Sequence, residues 1–374
     1  MRFTNVKGCS DLRAKYPKLP VVHVSDLNSY RYCRRKWDFC SYMRQNLERV
    51  DEPIEAFWFG TGIHFGLEDL HGYKEFPSAA AAFEFFVMAT EGSRPDTWRE
   101  ALELGKAMLD YYELEWLTNR RDYQTVWIDK TPLVEVDFQC LIRRNGRPFA
   151  IFEGIFDGVL KDAYHRFWLA EYKTAKRMST SGKLENDTQI TAYTYAAEKI
   201  FGTQFEGIVH QQHLKDTPSI PQVLKTGGIS KNKQIKTTFA LYKKALVDYY
   251  GEGKIPSDYD EMLNMLLENE QENGNGFVWR NLVRRNPMEL ASFEKHLIMM
   301  VSEMISKKLP IYPNSSHMAG CMCDFKSVCL AMDEGSDYGF ILDNEFARRD
   351  RDKRTDWRAK AAELGQKIKK GGEN

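Results

Sequence analysis

The chain has 374 residues, enough for roughly two to three average domains or for one α/β core with large helical elaborations. Its 53 Lys and Arg balance its 53 Asp and Glu, so net charge announces no polyanionic partner, although a neutral total can hide a basic groove beside an acidic site. The start, "MRFTNVKGCSDLRAKYPKLP", carries no apolar leader, and apolar runs such as "LIMMV" at 297–301 are far too short to span a bilayer, so a soluble, cytosolic protein without a membrane partner is expected. Seven cysteines in such a chain argue against a disulfide framework and for free thiols, metal ligation or both.

In chain order, residues 1–50 contain "HVSDLNSYRYCRRKWDFCSYMR" (23–44), which reads as a helix with Ser25 as N-cap and interleaved basic and aromatic residues. Residues 51–124 have helical apolar spacing to about Leu117. Residues 125–215 change to β patterning: "PLVEVDFQCLIR", "PFAIFEGIFDGVLKD" and "HRFWLAEYKTA", the first pair divided by the turn signal "RNGRP". A helix over 185–202, closed by Gly202, and a further β run, "FEGIVHQQHL", complete an α/β pattern. Residues 216–310 read as a Lys-rich segment followed by helical material, 311–330 hold a cysteine cluster, and 331–374 form a charged tail without assigned chemistry.

In "FWLAEYKTAKR" both faces of the strand begin apolar, yet Glu171 and Lys173 then share one face, because strand side chains alternate. An exposed ion pair is the plain explanation. Asp157, in "FEGIFDGVL" on the preceding strand between Gly154 and Gly158, falls beside Glu171 if the two strands form a hairpin. Two neighbouring carboxylates repel unless they share a proton or a cation, so the pair predicts a divalent ion, Mg²⁺ or Mn²⁺ from its oxygen donors. His64 and Glu68 share a helix face at i and i+4, as do Gln189 and Tyr193. An imidazole ligand favours Mn²⁺.

"GxxxH" (Gly60 to His64), "GIFDG" (Asp157), "EYK" (Glu171, Lys173) and "QITAY" (Gln189, Tyr193), in this order and spacing, resemble the RecB-like branch of the PD-(D/E)XK nucleases. The likeness covers roughly residues 21–330 and includes "VLKTGGISKNKQIKTTFALY", similar to a Lys-Gly-Ser-Lys stretch of phage exonucleases. Phe156 stands where the family name has proline. Relatives of this branch include the iron–sulfur nuclease of CRISPR adaptation and the nuclease domains of recombination helicase-nucleases. The resemblance implies a restriction-endonuclease-like core, a mixed central sheet flanked by helices, with a helical cap and an iron–sulfur clasp. It implies that His64, Asp157, Glu171 and the Tyr172 carbonyl hold the cation, and that Lys173 orients or helps deprotonate the attacking water. Gln189 and Tyr193 would position the scissile strand, and Glu68 would support His64 from behind.

The same resemblance implies a 4Fe-4S cluster on Cys33, Cys321, Cys323 and Cys329 of "HMAGCMCDFKSVC". Gly320 occupies the usual place of the first of the three C-terminal ligands, and Cys321 is displaced by one. A local zinc site of His317, Cys321, Cys323 and Cys329, or unligated thiols, compete with the cluster. Cys9, Cys40 and Cys140 lack partners at ligand spacing, Cys140 reading as a small core residue.

The expected activity is metal-dependent hydrolysis of DNA by an exonuclease at ends or in single strands. Arg34, Arg35, Lys36, Lys225, Lys231 and Lys233 would meet phosphates, and Tyr30, Tyr32 or Trp37 would stack bases. Recombination, replication or CRISPR-adaptation proteins are the partners the resemblance suggests, in a bacterial host's cytoplasm if the chain is phage-encoded. The rivals are a non-catalytic DNA-binding protein that keeps the fold and an iron–sulfur electron carrier.

Overall fold

A computed structural model describes residues 11–50, 55–89, 98–119, 122–178, 181–314 and 323–349. The helices are α1 (Leu12–Lys15), α2 (Val24–Tyr32), α3 (Arg34–Cys40), α4 (Glu55–Glu68), α5 (Ala79–Ala89), α6 (Trp98–Asn119), α7 (Ser181–Glu185), α8 (Thr188–Phe201), α9 (Phe239–Tyr250), α10 (Asp260–Asn273), α11 (Pro287–Met304), α12 (Lys326–Glu334) and α13 (Tyr338–Glu345). The strands are β1 (Val21–His23), β2 (Leu47–Arg49), β3 (Tyr123–Thr125), β4 (Trp127–Ile128), β5 (Thr131–Pro132), β6 (Val134–Arg144), β7 (Arg147–Asp162), β8 (Phe167–Ala175), β9 (Ile208–Leu214), β10 (Val278–Val283) and β11 (Phe346–Arg348).

The main sheet is mixed and runs β1-β7-β8-β9-β10, with β6 and β3 also paired to the long β7. Asn145 and Gly146 both take positive φ, the geometry a two-residue hairpin needs, and turn β6 into β7. β8 and β9 are parallel and are joined through α8, whose N-cap Asp187 accepts from the amides of Gln189 and Ile190 and whose end is the left-handed Gly202.

Strand alternation sends Leu169 and Ile208 to a core shared with α2, α8 and α11, and sends Trp168, Ala170 and Val209 to one shared with α4, α5 and α6. Helices on both faces thus explain why β8 begins apolar on both sides. Gly62 and Gly66 bring α4 close to its neighbours: a Cβ at Gly62 would stand 2.7 Å from the Phe83 ring, and one at Gly66 2.8 Å from the Ala79 carbonyl.

Several expected boundaries differ. The segment 23–44 is two helices, not one, because Cys33 is extended (φ −161°, ψ 116°). That conformation turns its sulfur back to accept from the Lys36 amide at 3.5 Å. The N-cap of α2 is His23 rather than Ser25, with Asp26 accepting from the His23 amide at 2.8 Å. Residues 278–283, expected as helical, form β10 against β9, their Val-Trp-Arg-Asn-Leu-Val alternation being a strand period. The start of the charged tail is ordered too, as β11 pairs antiparallel with β2. Among the described residues, no helix is long and apolar enough to cross a membrane.

Candidate active site

β7 and β8 pair in register only as far as Gly158 and Ala170. At the next position Asp157 and Glu171 would oppose each other, and there the backbone ladder stops. The Tyr172 amide instead donates to Asp157 Oδ2 at 2.6 Å, so a side chain occupies the opening between the strands. Glu171 is 2% exposed. Its Oε1 accepts from Gln189 Nε2 at 2.9 Å and pairs with Lys173 Nζ, whereas its buried Oε2 has no hydrogen-bond partner. An orphaned buried carboxylate oxygen is costly, and a water or a cation would satisfy it.

His64 reaches this opening from α4 on the other layer. Its Nε2 lies 3.0 Å from the Tyr172 carbonyl, and its Nδ1 lies 3.3 Å from Glu135 Oε1 and 3.6 Å from Asp157 Oδ1. His64, Glu135 and Asp157 offer three ligand atoms within 4.8 Å of one another, the one such group among the described residues. Ligands at right angles around an ion with bonds of about 2.1 Å stand about 3.0 Å apart, so these separations fit a small hard cation. The Glu171 carboxylate lies outside this compact group, held toward Gln189 and Lys173.

Glu135 is the carboxylate that the sequence reading lacks. It alternates with Val134 and Val136 and so reads as an ordinary solvent-facing position. The Asn145-Gly146 turn sets a register that would put Val134 opposite Asp157, but an irregularity between Ile142 and Arg143 shifts the ladder by one and puts Glu135 there. Glu135 also has φ +46°, a left-handed conformation that costs a non-glycine residue about 1–2 kcal/mol. Its carboxylate therefore meets His64 at a backbone cost, and Glu135 rather than Glu68 is the glutamate on His64 Nδ1. His210, opposite Glu171 on β9, is a buried group also outside that reading, with its Nδ1 lacking a hydrogen-bond partner.

The electrostatics follow from this crowding. Burial first and the Glu171 charge second push Asp157 up to about 7, against the pull of His64 and Lys173. Burial disfavours the His64 imidazolium, but Asp157 and Glu135 outweigh it and raise His64 to about 9. Burial likewise opposes the Lys173 ammonium, yet Glu171 and Asp157 raise it above its ordinary value. Burial and the Glu171 charge also raise the Tyr193 hydroxyl, which lies in the same groove as Gln189 and packs edge-on against Phe138 and Phe156.

A model of the PD-(D/E)XK nuclease superfamily matches residues 22–330. The chain belongs to the PD-(D/E)XK nuclease superfamily. Nucleases of this superfamily use divalent metals and act on nucleic acid, consistent with the His64, Glu135 and Asp157 group beside the opening between β7 and β8. No curated protein matches the chain. Among solved structures, the crystal structure of SSO0001 is similar at 11% identity and a TM-score of 0.31, over 83% of this chain and 86% of that one.

The remaining predicted residues separate by burial and pairing. Tyr30 and Trp37 are buried, whereas Tyr32 is 61% exposed. Arg34 pairs with Glu303 and Arg35 with Asp333. Lys231 pairs with Asp258 and Lys233 with Glu261, so these two lysines of the basic segment face carboxylates, and Lys225 sits on an exposed turn. Cys33 and Cys329 are buried, and Cys323 is partly so. The Cys33 sulfur accepts from the Lys36 and Asn314 amides. Cys329 lies close enough to Cys33, Cys323 and Arg35 to feel their charges, burial raising its thiol overall. Cys40 is partly buried, and Cys140 is a core residue pushed up to about 12 by burial. Cys9, His317, Gly320 and Cys321 lie outside the described residues.

Proposed function

We propose that this nuclease-superfamily chain is a metal-dependent deoxyribonuclease of the RecB-like, iron–sulfur kind, an exonuclease acting at DNA ends or on single strands. The observation that carries this reading is the opening of the β7–β8 ladder, where Asp157, Glu135 and His64 converge beside a Glu171 with an orphaned oxygen. Asp157, His64 and Glu135, with Glu171 and the Tyr172 carbonyl at the margin, would hold Mg²⁺ or Mn²⁺. Such an ion, when bound, lowers the pKa of a water and offsets charge on the phosphate.

The chain's own groups divide the remaining work. Gln189 holds Glu171 by one oxygen, and the other is buried without a hydrogen-bond partner. Lys173, paired with Glu171, would orient or help deprotonate the attacking water and stabilise charge on the phosphate. Tyr193 lines the same groove as Gln189 and steadies the strand beside it.

Cys33, Cys323 and Cys329, completed by Cys321, would bind a 4Fe-4S cluster of structural role. Amide donors onto Cys33 and Arg35 near Cys329 suit thiolates that carry charge. Mn²⁺-dependent release of label from end-labelled single and double strands, stopped by EDTA and by Asp157→Ala, is the expected result. Failure to cut any labelled DNA with either ion would overturn the assignment.

A further inference from the structure

β8 keeps register with β9 through Ala175, but its pairing with β7 ends at Ala170. The amide and carbonyl of Tyr172 face the opening so left, where they meet Asp157 and His64 instead of a strand. On that side the peptide lacks the ladder that fixes a central strand, and its side chain supplies the remaining anchor. The ring is buried and held by three imidazoles. His71 lies parallel to it, centroids 5.7 Å apart and planes at 5°, while His64 and His213 each meet it edge-on at 6.3 Å. His64 and His71 are seven residues apart, two helical turns, so α4 and the π-helical turn that continues it (Asp69–Tyr73) bring both rings to Tyr172. His71 is itself fixed at two points: its carbonyl accepts from the Thr125 hydroxyl at 2.7 Å, and its Nε2 lies 2.9 Å from the Tyr112 hydroxyl.

The other side of the ring is braced across the sheet. Tyr172, Gln211 and Arg280 form one row over β8, β9 and β10. Arg280 donates twice to Gln211 Oε1, which leaves Gln211 Nε2 to donate to His213 Nε2 at 2.9 Å and fixes an imidazole that touches both Tyr112 and Tyr172. Hydrogen-bonded rings are pre-set in orientation as aliphatic side chains are not, and these lie directly behind two groups of the acidic site. We infer that His71 is a positioning residue of the cation site: its flat contact with Tyr172 holds that peptide in place, keeping its carbonyl toward the ion and its amide on Asp157. This rests on the metal-dependent nuclease reading and deepens it, adding a residue that sets cation affinity without touching the cation.

In calorimetric titration of the full-length protein with Mn²⁺, His71→Ala is expected to weaken binding about tenfold, the scale of one lost aromatic contact. His71→Phe, which keeps a flat face, restores the affinity. His71→Leu, which fills the volume without one, binds as weakly as the Ala variant and decides the matter if that variant does not fold. Phe85→Ala opens a cavity in the same core among Phe65 and Phe76, and should lower the thermal midpoint while leaving Mn²⁺ affinity unchanged. Equal loss of affinity in Phe85→Ala would make the effect one of core stability and overturn the inference, as would a Leu variant that binds like the wild type or a Phe variant as weak as the Ala one. Mn²⁺ binding that Asp157→Ala abolishes but His71→Ala leaves unchanged overturns this inference alone. A wild-type protein that binds no Mn²⁺ overturns it together with the metal reading.

Discussion

The acidic site and the thiol region are assembled by opposite means. At the acidic site, ionisable groups from α4, β6, β7 and β8 meet between two apolar layers, burial and then the Glu171 charge raise Asp157 to about 7, and Glu135 has a left-handed conformation. Around Cys33, Cys323 and Cys329, apolar packing does the holding. Phe325 stacks on Phe39 at 4.9 Å and on Phe346 at 4.7 Å, while β11 on β2 ties two distant parts of the chain. One region crowds buried ionisable groups, and the other is held by aromatic and aliphatic packing. Loss of an acidic side chain should therefore cost activity and not stability, whereas loss of a thiol should cost stability first.

The sharpest way to break that contrast is Asp157→Ala or Glu171→Ala. Each should lower cleavage by more than about a thousandfold, with DNA binding nearly intact and the thermal midpoint unchanged or raised, because one of several like charges is gone. Normal turnover in either variant would remove the metal assignment. Lys173→Ala should reduce turnover about a hundredfold while calorimetry still detects Mn²⁺ binding, since an ammonium stabilises charge without being a ligand. Lost metal binding would make Lys173 structural instead.

Cys33→Ala tests the other region. It should bleach an iron–sulfur chromophore and lower the thermal midpoint, with the metal content of the acidic site unchanged. A colourless wild-type protein containing one zinc and insensitive to this change would favour a local site with His317.

The pH dependence separates the two regions again. Asp157 and His64 both have folded-state pKa values above their ordinary ones, about 7 and about 9. The metal-free protein therefore holds protons more tightly than the unfolded chain, and loses stability as pH rises through those values. A cation displaces the same protons, so the gain in thermal midpoint on adding Mn²⁺ should widen from about pH 6 to about pH 9. A constant gain across that range would contradict the assignment of His64 and Asp157 to the cation. The smallest effect is expected for Glu135→Gly, which removes the left-handed strain and should add about 1 kcal/mol of stability in denaturant titration while weakening Mn²⁺ binding.

Whatever depended on local period was readable along the chain. Two-residue alternation alone places Glu171 and Lys173 on one face, helical spacing alone pairs Gln189 with Tyr193, and Asp187 and Gly202 mark α8 by their capping chemistry. The superfamily was legible for the same reason, since its motifs are short and sit on regular elements. Tertiary structure decided what depends on which segments meet. Glu135 opposes Asp157 only because the ladder slips one residue between Ile142 and Arg143, and a one-residue slip in a strand exchanges the whole set of facing side chains. β10 and β11 exist because β9 and β2 offer them backbone partners. Lys231 and Lys233, which look like phosphate contacts in a basic run, stand against Asp258 and Glu261 from more than 25 residues away. Side-chain period is a property of a few neighbouring residues, whereas register and charge pairing are fixed only when the chain closes on itself.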